Sequence, residues 1–99
     1  MAEYFFTHKA VEDISEIYEY TYNFWGEDQA DKYYEELIGF CLMLAENTKM
    51  GKKYSEIDLN IWGFLANRHI IFYRIINSDE IEITRILGAE MDLKNRIME

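Results

Sequence analysis

Two stripes of apolar residues at helical spacing fill the first half of this 99-residue chain, and after Asn47 the period changes to that of β-structure. The first stripe is Val11, Ile14, Tyr18, Tyr22 and Trp25, widened by Ala10 and Ile17. It predicts a helix from His8 to about Trp25, with Glu12, Asp13, Glu16 and Glu19 on the outer face. The second stripe is Ala30, Tyr33, Tyr34, Leu37, Ile38, Cys41, Leu44 and Ala45, and it predicts a helix from Glu27 to Asn47. The short break at Gly26 makes the two an antiparallel hairpin. Ahead of them, Tyr4-Phe5-Phe6 reads as a strand and Thr7 as the N-cap of the first helix. No proline interrupts either helix.

The second half reads as short β runs. Thr48 to Asn60 is polar and is expected to be a loop, Ile61 to Ala66 a strand, and Asn67-Arg68 a tight turn. His69 to Ile76 is almost continuously apolar, as a central buried strand would be. A turn over Asn77 to Glu80 leads to a strand over Ile81 to Leu87, in which strict alternation puts Ile81, Ile83, Arg85 and Leu87 on one face. Gly88 breaks it, and Ala89 to Met98 suits a short closing helix. The order β-α-α-β-β-β predicts an α+β fold, a helical hairpin on one face of a mostly antiparallel sheet, with residues 1–99 forming one domain.

Charge and motifs then narrow the function. The net charge is −9, and residues 1–47 carry all of the excess, with Lys9 and Lys32 as the basic residues there. Such a surface is repelled by nucleic acid and by anionic membranes, so neither direct nucleic-acid binding nor membrane association is expected. No apolar run is long enough to span a bilayer, and Met1 to Thr7 does not resemble a signal peptide. A lone cysteine, Cys41, lies in a helical core stripe, and a cytoplasmic location is the expectation. P-loop, dinucleotide, serine-hydrolase and zinc motifs are missing, so no cofactor and no metal site are expected. Asp28, Asp31 and Glu35 share one helix face but have no histidine at ligand spacing, and read as solvated charge.

One constellation remains: Lys52, Lys53, Tyr54, Arg68, His69, Tyr73, Arg74 and Arg85. Arginine within apolar strands is costly unless it is paired or faces a groove. Two readings stay open. The arginines pair with acidic residues such as Glu82 or with the chain end, or they line a cationic groove able to stabilise a phosphorane, with a Tyr or His moving protons.

Along nearly its whole length the chain resembles the RelE/ParE toxin superfamily of type II toxin–antitoxin systems. The marks occur in order: Ala10, Asp13, Ile14 and Ile17; Trp25, Gly26, Gln29 and Ala30; Leu44 to Asn47; Gly51 and Lys52; Arg68 to Arg74; Arg85 to Leu87; Met91 and Asp92. The second of these sets and the Arg68–Arg74 string are most similar to the ParE branch. The resemblance implies a helical hairpin on an antiparallel sheet, a cognate antitoxin as partner, and DNA gyrase as target, inhibited by binding with no catalytic residue. Its binding residues would be Lys52, Lys53, Trp62, Arg68, His69, Arg74 and Arg85. The RelE alternative is a ribosome-dependent mRNA endonuclease using Lys52 or Lys53, Arg68, Tyr73 and Arg85. A degenerate toxin that only binds antitoxin is the third possibility. The chain departs from the family pattern at Asp58, Trp62 and Gly63, where basic residues are common, at Gly88, Ala89 and Glu90, where a His-Gly pair and often a basic residue follow the strand, and at Thr48, where proline is common. Each lost positive charge disfavours a phosphate-binding role.

Overall fold

The computed structural model describes residues 1–90 and Ile97. The elements are β1 (Glu3–Phe6), α1 (His8–Trp25), α2 (Glu27–Glu46), β2 (Lys52–Lys53), β3 (Trp62–Ala66), β4 (His69–Asn77) and β5 (Glu80–Gly88). One five-stranded sheet runs in the order β1-β5-β4-β3-β2, with β1 parallel to β5 and every other pair antiparallel. The α+β hairpin-on-sheet architecture is therefore as expected. The segment expected to be a plain loop contributes the edge strand β2, which pairs Lys52 with Gly63 and Lys53 with Trp62. Two residues are too few for a periodic signal. Of the expected closing helix, Ala89 and Glu90 form a turn, Ile97 is helical, and the remainder lies outside the described residues.

Local chemistry sets the joints. Thr7 caps α1: its hydroxyl oxygen accepts from the Ala10 N–H at 3.1 Å, and the same hydroxyl donates to the Thr84 carbonyl at 2.8 Å, tying the helix start to β5. Gly26 joins the helices at φ 93°, a backbone conformation that side chains with a Cβ rarely adopt. Asn67 opens the β3–β4 turn at φ 59°, where Asn is among the best-tolerated non-glycine residues. The hydroxyl of Tyr18 donates to Asp31 at 2.6 Å and clasps the hairpin; that bond pushes the phenol up to about 12.

The main core lies between hairpin and sheet and includes Ala10, Ile14, Leu37, Cys41, Leu44, Ile71, Tyr73, Ile81, Ile83 and Ile86. Burial raises the Cys41 thiol to about 12, so it stays protonated and inert. A second cluster of Ile61, Ile70, Phe72 and Leu87 packs with Tyr54, Ile57 and Ile97. Two expectations need correcting. The α1 stripe is rotated: Ala10, Asp13 and Ile14 are buried, whereas Val11, Tyr22 and Trp25 are exposed. In β5 the alternation breaks, because Phe72 faces Arg85 but Tyr73 faces Ile83, leaving Thr84 as the extra residue of a bulge. Beyond that bulge Ile86, not Arg85 or Leu87, rejoins Ile81 and Ile83 in the main core, while Leu87 enters the second cluster.

Candidate functional site

Where β1 ends, α1 takes over the free edge of β5. Asp13 reaches the sheet just past the bulge. Its Oδ2 accepts from Arg85 Nε at 2.7 Å and from the Ile86 backbone N–H at 3.0 Å, and its Oδ1 accepts from an Arg85 terminal nitrogen at 3.0 Å. Both side chains are 8% exposed. A bidentate, charge-assisted contact of this kind holds a guanidinium in one geometry. Arg85 is thus committed to the scaffold rather than aimed into a cationic groove. Asp13, assigned above to the polar face, is the residue that makes this possible. Its spacing of i+3 from Ala10, inside the Ala10–Ile14–Ile17 stripe, was the available signal.

The same end of the sheet opens into a groove of about 800 Å³ between α1 from Asp13 onward, the first turns of α2, the start of β4 and the end of β5. Ile17, Tyr20, Trp25 and Leu87 give it apolar walls, and Glu16 and Arg68 give it charge of each sign. Trp25 is 72% exposed at the rim, and the Tyr20 ring packs on Phe24 with centroids 4.6 Å apart. His69 also lines the groove, where its Nδ1 pairs with the Tyr33 hydroxyl at 2.7 Å. Burial holds the imidazole below its ordinary range, favouring the neutral ring with an acceptor nitrogen.

The other expected site residues lie elsewhere. Five residues along β4, about 16 Å at the usual rise per residue, separate His69 from Arg74. At Arg74's end of the sheet, Lys53 Nζ stands 5.6 Å over the Trp62 ring and Lys52 Nζ 5.0 Å over the Tyr54 ring. Trp62 stacks on Tyr73 with centroids 6.4 Å apart. Tyr73 is fully buried: its hydroxyl donates to the Thr48 carbonyl at 2.8 Å and accepts from the Gly51 N–H at 3.1 Å. Burial raises that phenol above its ordinary range. The eight-residue constellation is thereby divided between a groove end holding Arg68 and His69, a sheet corner holding Lys52, Lys53, Tyr54 and Arg74 beside Trp62, and two buried side chains, Tyr73 and Arg85.

Two of the departures noted in the sequence, Gly63 and Asp58, have local reasons. A Cβ on Gly63 would lie 2.5 Å from the Tyr54 ring, and one on Gly51 would lie 2.6 Å from the Gly63 carbonyl, so this corner packs backbone against ring. Asp58 makes an ion pair with Arg74 at 3.4 Å. Its carboxyl sits below the usual range, chiefly because of the Asn60 backbone N–H and then because of Arg74. Among the described residues, no group of three or more His, Cys, Asp or Glu side chains is placed to hold a metal ion. No described helix is long and apolar enough to cross a membrane.

Comparison with known proteins agrees with this architecture. Residues 4–93 match the profile of the family described as ParE toxin of type II toxin-antitoxin system, parDE. Toxin ParE1 of Mycobacterium tuberculosis is 30% identical over 96 residues, covering 97% of this chain and 98% of the relative. Toxin ParE1 of Caulobacter vibrioides is 29% identical over 94 residues, covering 95% and 96%. A solved structure titled "Chromosomal ParDE TA system from P. aeruginosa" superposes with a TM-score of 0.76 at 22% identity, over 91% of this chain and 98% of that one, and shares the fold.

Proposed function

The chain belongs to the ParE toxin family of type II toxin–antitoxin systems, and on that premise we propose that it arrests growth by binding DNA gyrase in the cytoplasm, without catalysis of its own. The observation that carries this is the dispersal of the side chains a metal-independent ribonuclease would need. Arg85 is fixed by Asp13 and buried, the Tyr73 hydroxyl is engaged at both the Thr48 carbonyl and the Gly51 N–H, and Arg68 lies four residues before Phe72, the β4 residue in register with Lys52 across Gly63. General acid–base transfer needs its groups within hydrogen-bond reach of one reacting centre. A protein target makes no such demand.

Neutralisation is assigned to a cognate antitoxin whose tail occupies the groove. An apolar trough rimmed by Trp25 and Tyr20 suits an amphipathic helix, and the outer edge of β3 beyond its short pairing with β2 suits an added strand. The hairpin beside it holds nearly all of the −9 carried by residues 1–47, so tail segments crossing it should be rich in Lys and Arg. A uniformly acidic tail that bound tightly and without salt dependence would contradict this assignment.

The target is tested by adding the purified protein to gyrase with supercoiled and relaxed DNA, and separately to translating ribosomes. Inhibition of supercoiling with intact message is the expected outcome. Codon-positioned message cuts that vanish in an Arg68→Ala variant, with gyrase unaffected, would establish the nuclease instead. Silence in both assays, with normal growth on overexpression, would mean a chain that retains only antitoxin binding.

A further inference from the structure

The corner formed by β2, β3 and Arg74 carries a second arrangement. Lys53, Leu59, Asn60, Trp62, Arg74 and Ile75 line a shallow hollow of about 410 Å³. Leu59 is 77% exposed beside it. Lysines resting on aromatic rings next to a solvated leucine and an arginine make a surface of the kind that anchors protein partners, where Trp and Arg dominate the contact energy. It is not a surface for a phosphate backbone. Lys52, Lys53 and Arg74 are interrupted by the carboxylate of Asp58, on a domain of net charge −9.

Asp58 is held in place rather than loosely solvated. The Tyr54 carbonyl accepts from the backbone N–H groups of Ile57 and Asp58, forming a turn, and Asp58 Oδ1 accepts from the Asn60 N–H at 2.8 Å. That leaves Oδ2 facing Arg74 through a single contact of 3.4 Å. The contact is longer than any in the Asp13–Arg85 pair, and both side chains are 40% exposed. A guanidinium has five N–H donors, and a solvated pair of this sort exchanges partners at little cost.

We propose that this corner docks a carboxylate-bearing patch on a partner protein, and that Asp58 is the internal placeholder for the partner's carboxylate. Docking transfers Arg74 from Asp58 to an Asp or Glu of the partner, with Lys53 alongside, while Leu59 and Trp62 pack on apolar side chains flanking that acid. Asp58 thereby limits the affinity of the corner for carboxylates and rejects polyphosphates. This rests on the reading that the chain acts by binding a protein target. It adds which surface makes the contact, and the charge the target must present.

Binding to intact gyrase, to poly-L-glutamate and to duplex RNA is measured at low and high salt for the wild type, Asp58→Asn, Arg74→Ala and the double variant. Asn keeps the Oδ1 acceptor for Asn60 and removes only the charge. Asp58→Asn should bind gyrase about threefold to fivefold tighter than wild type at low salt, the scale of one solvated charge pair, with the gain lost at high salt and in the double variant. Poly-L-glutamate should rank the variants in the same order. If no variant binds gyrase but that order holds on poly-L-glutamate, the gyrase assignment falls and the carboxylate-docking corner stands. If wild type binds gyrase and Asp58→Asn binds neither gyrase nor poly-L-glutamate more tightly, the placeholder is refuted and the gyrase assignment stands. An equal gain on duplex RNA would make the corner a phosphate site and overturn the proposal.

Discussion

Asp13–Arg85 and Asp58–Arg74 are the same chemical pair in two surroundings. The first joins helix to sheet through two side-chain contacts of 2.7 and 3.0 Å and is 8% exposed, with a backbone N–H on the same carboxylate. The second joins a loop to a strand through one contact of 3.4 Å and is 40% exposed. Their partners sit on neighbouring strands, β4 and β5. The difference is what solvent does to a charge. A sealed pair is locked, because neither member can be left alone in a low-dielectric interior. A wet pair is worth little and is free to change partners. The fold spends one arginine on each condition.

The contrast breaks most visibly if one member of the sealed pair is removed. Arg85→Ala should lose about 3–5 kcal/mol of stability, read from urea unfolding, since it leaves the buried Asp13 carboxylate without the guanidinium, and Asp13→Ala, which removes the carboxylate that fixes Arg85 and accepts from the Ile86 N–H, should also destabilise. A loss below about 1 kcal/mol would show that water reaches the pair. Removing both charges sharpens the point. Asp13→Leu with Arg85→Met should recover part of that loss and stay about 1–3 kcal/mol below wild type, because the Ile86 N–H still lacks the acceptor that Asp13 supplied.

His69 tests the groove end with a smaller effect. Burial lowers its pKa, so between the folded value and the ordinary value near 6.5 the unfolded chain binds more protons. The stability contributed by the neutral ring is therefore complete above about 6.5 and is lost as pH falls below it. Protonation also removes the acceptor for the Tyr33 hydroxyl. His69→Gln should flatten the dependence of the urea midpoint on pH through that window; an unchanged slope would assign the dependence to other groups. The smallest effect belongs to the wet pair. Asp58→Asn should leave the urea midpoint where it is at any salt concentration, and a clear loss would mean that Arg74 is fixed rather than exchangeable.

How much of this was legible beforehand follows the same division. The helices and β5 came from periodicity, because each buries one face along many residues, and the central position of β4 came from its nearly unbroken apolar run, because it is buried on both faces. The Thr7 cap and the Gly26 turn came from single residues whose backbone chemistry admits few alternatives. The bulge at Thr84 did not show, since one inserted residue leaves the apolar content of β5 unchanged while swapping which side chains share a face. That hid the separate destinations of Ile86 and Leu87, and it left Arg85 looking like a member of the same face as Ile83. Asp13 was misplaced because acidic residues flank it in the sequence at Glu12 and Glu16, and charge outweighed its spacing from Ala10. The candidate site residues stood out by their basic and aromatic types, but their grouping depends on where along β4 each lies, which composition does not encode.

The most direct measurement of the account is gyrase-catalysed supercoiling titrated with wild type and with Arg74→Ala, each verified as folded by its urea midpoint. If the wet arginine makes the functional contact and the sealed one only builds the scaffold, wild type inhibits supercoiling and Arg74→Ala needs about tenfold more protein for the same inhibition at an unchanged midpoint, as expected for truncating a contact arginine. Equal inhibition by the two proteins, or message cleavage in place of gyrase inhibition, would contradict it.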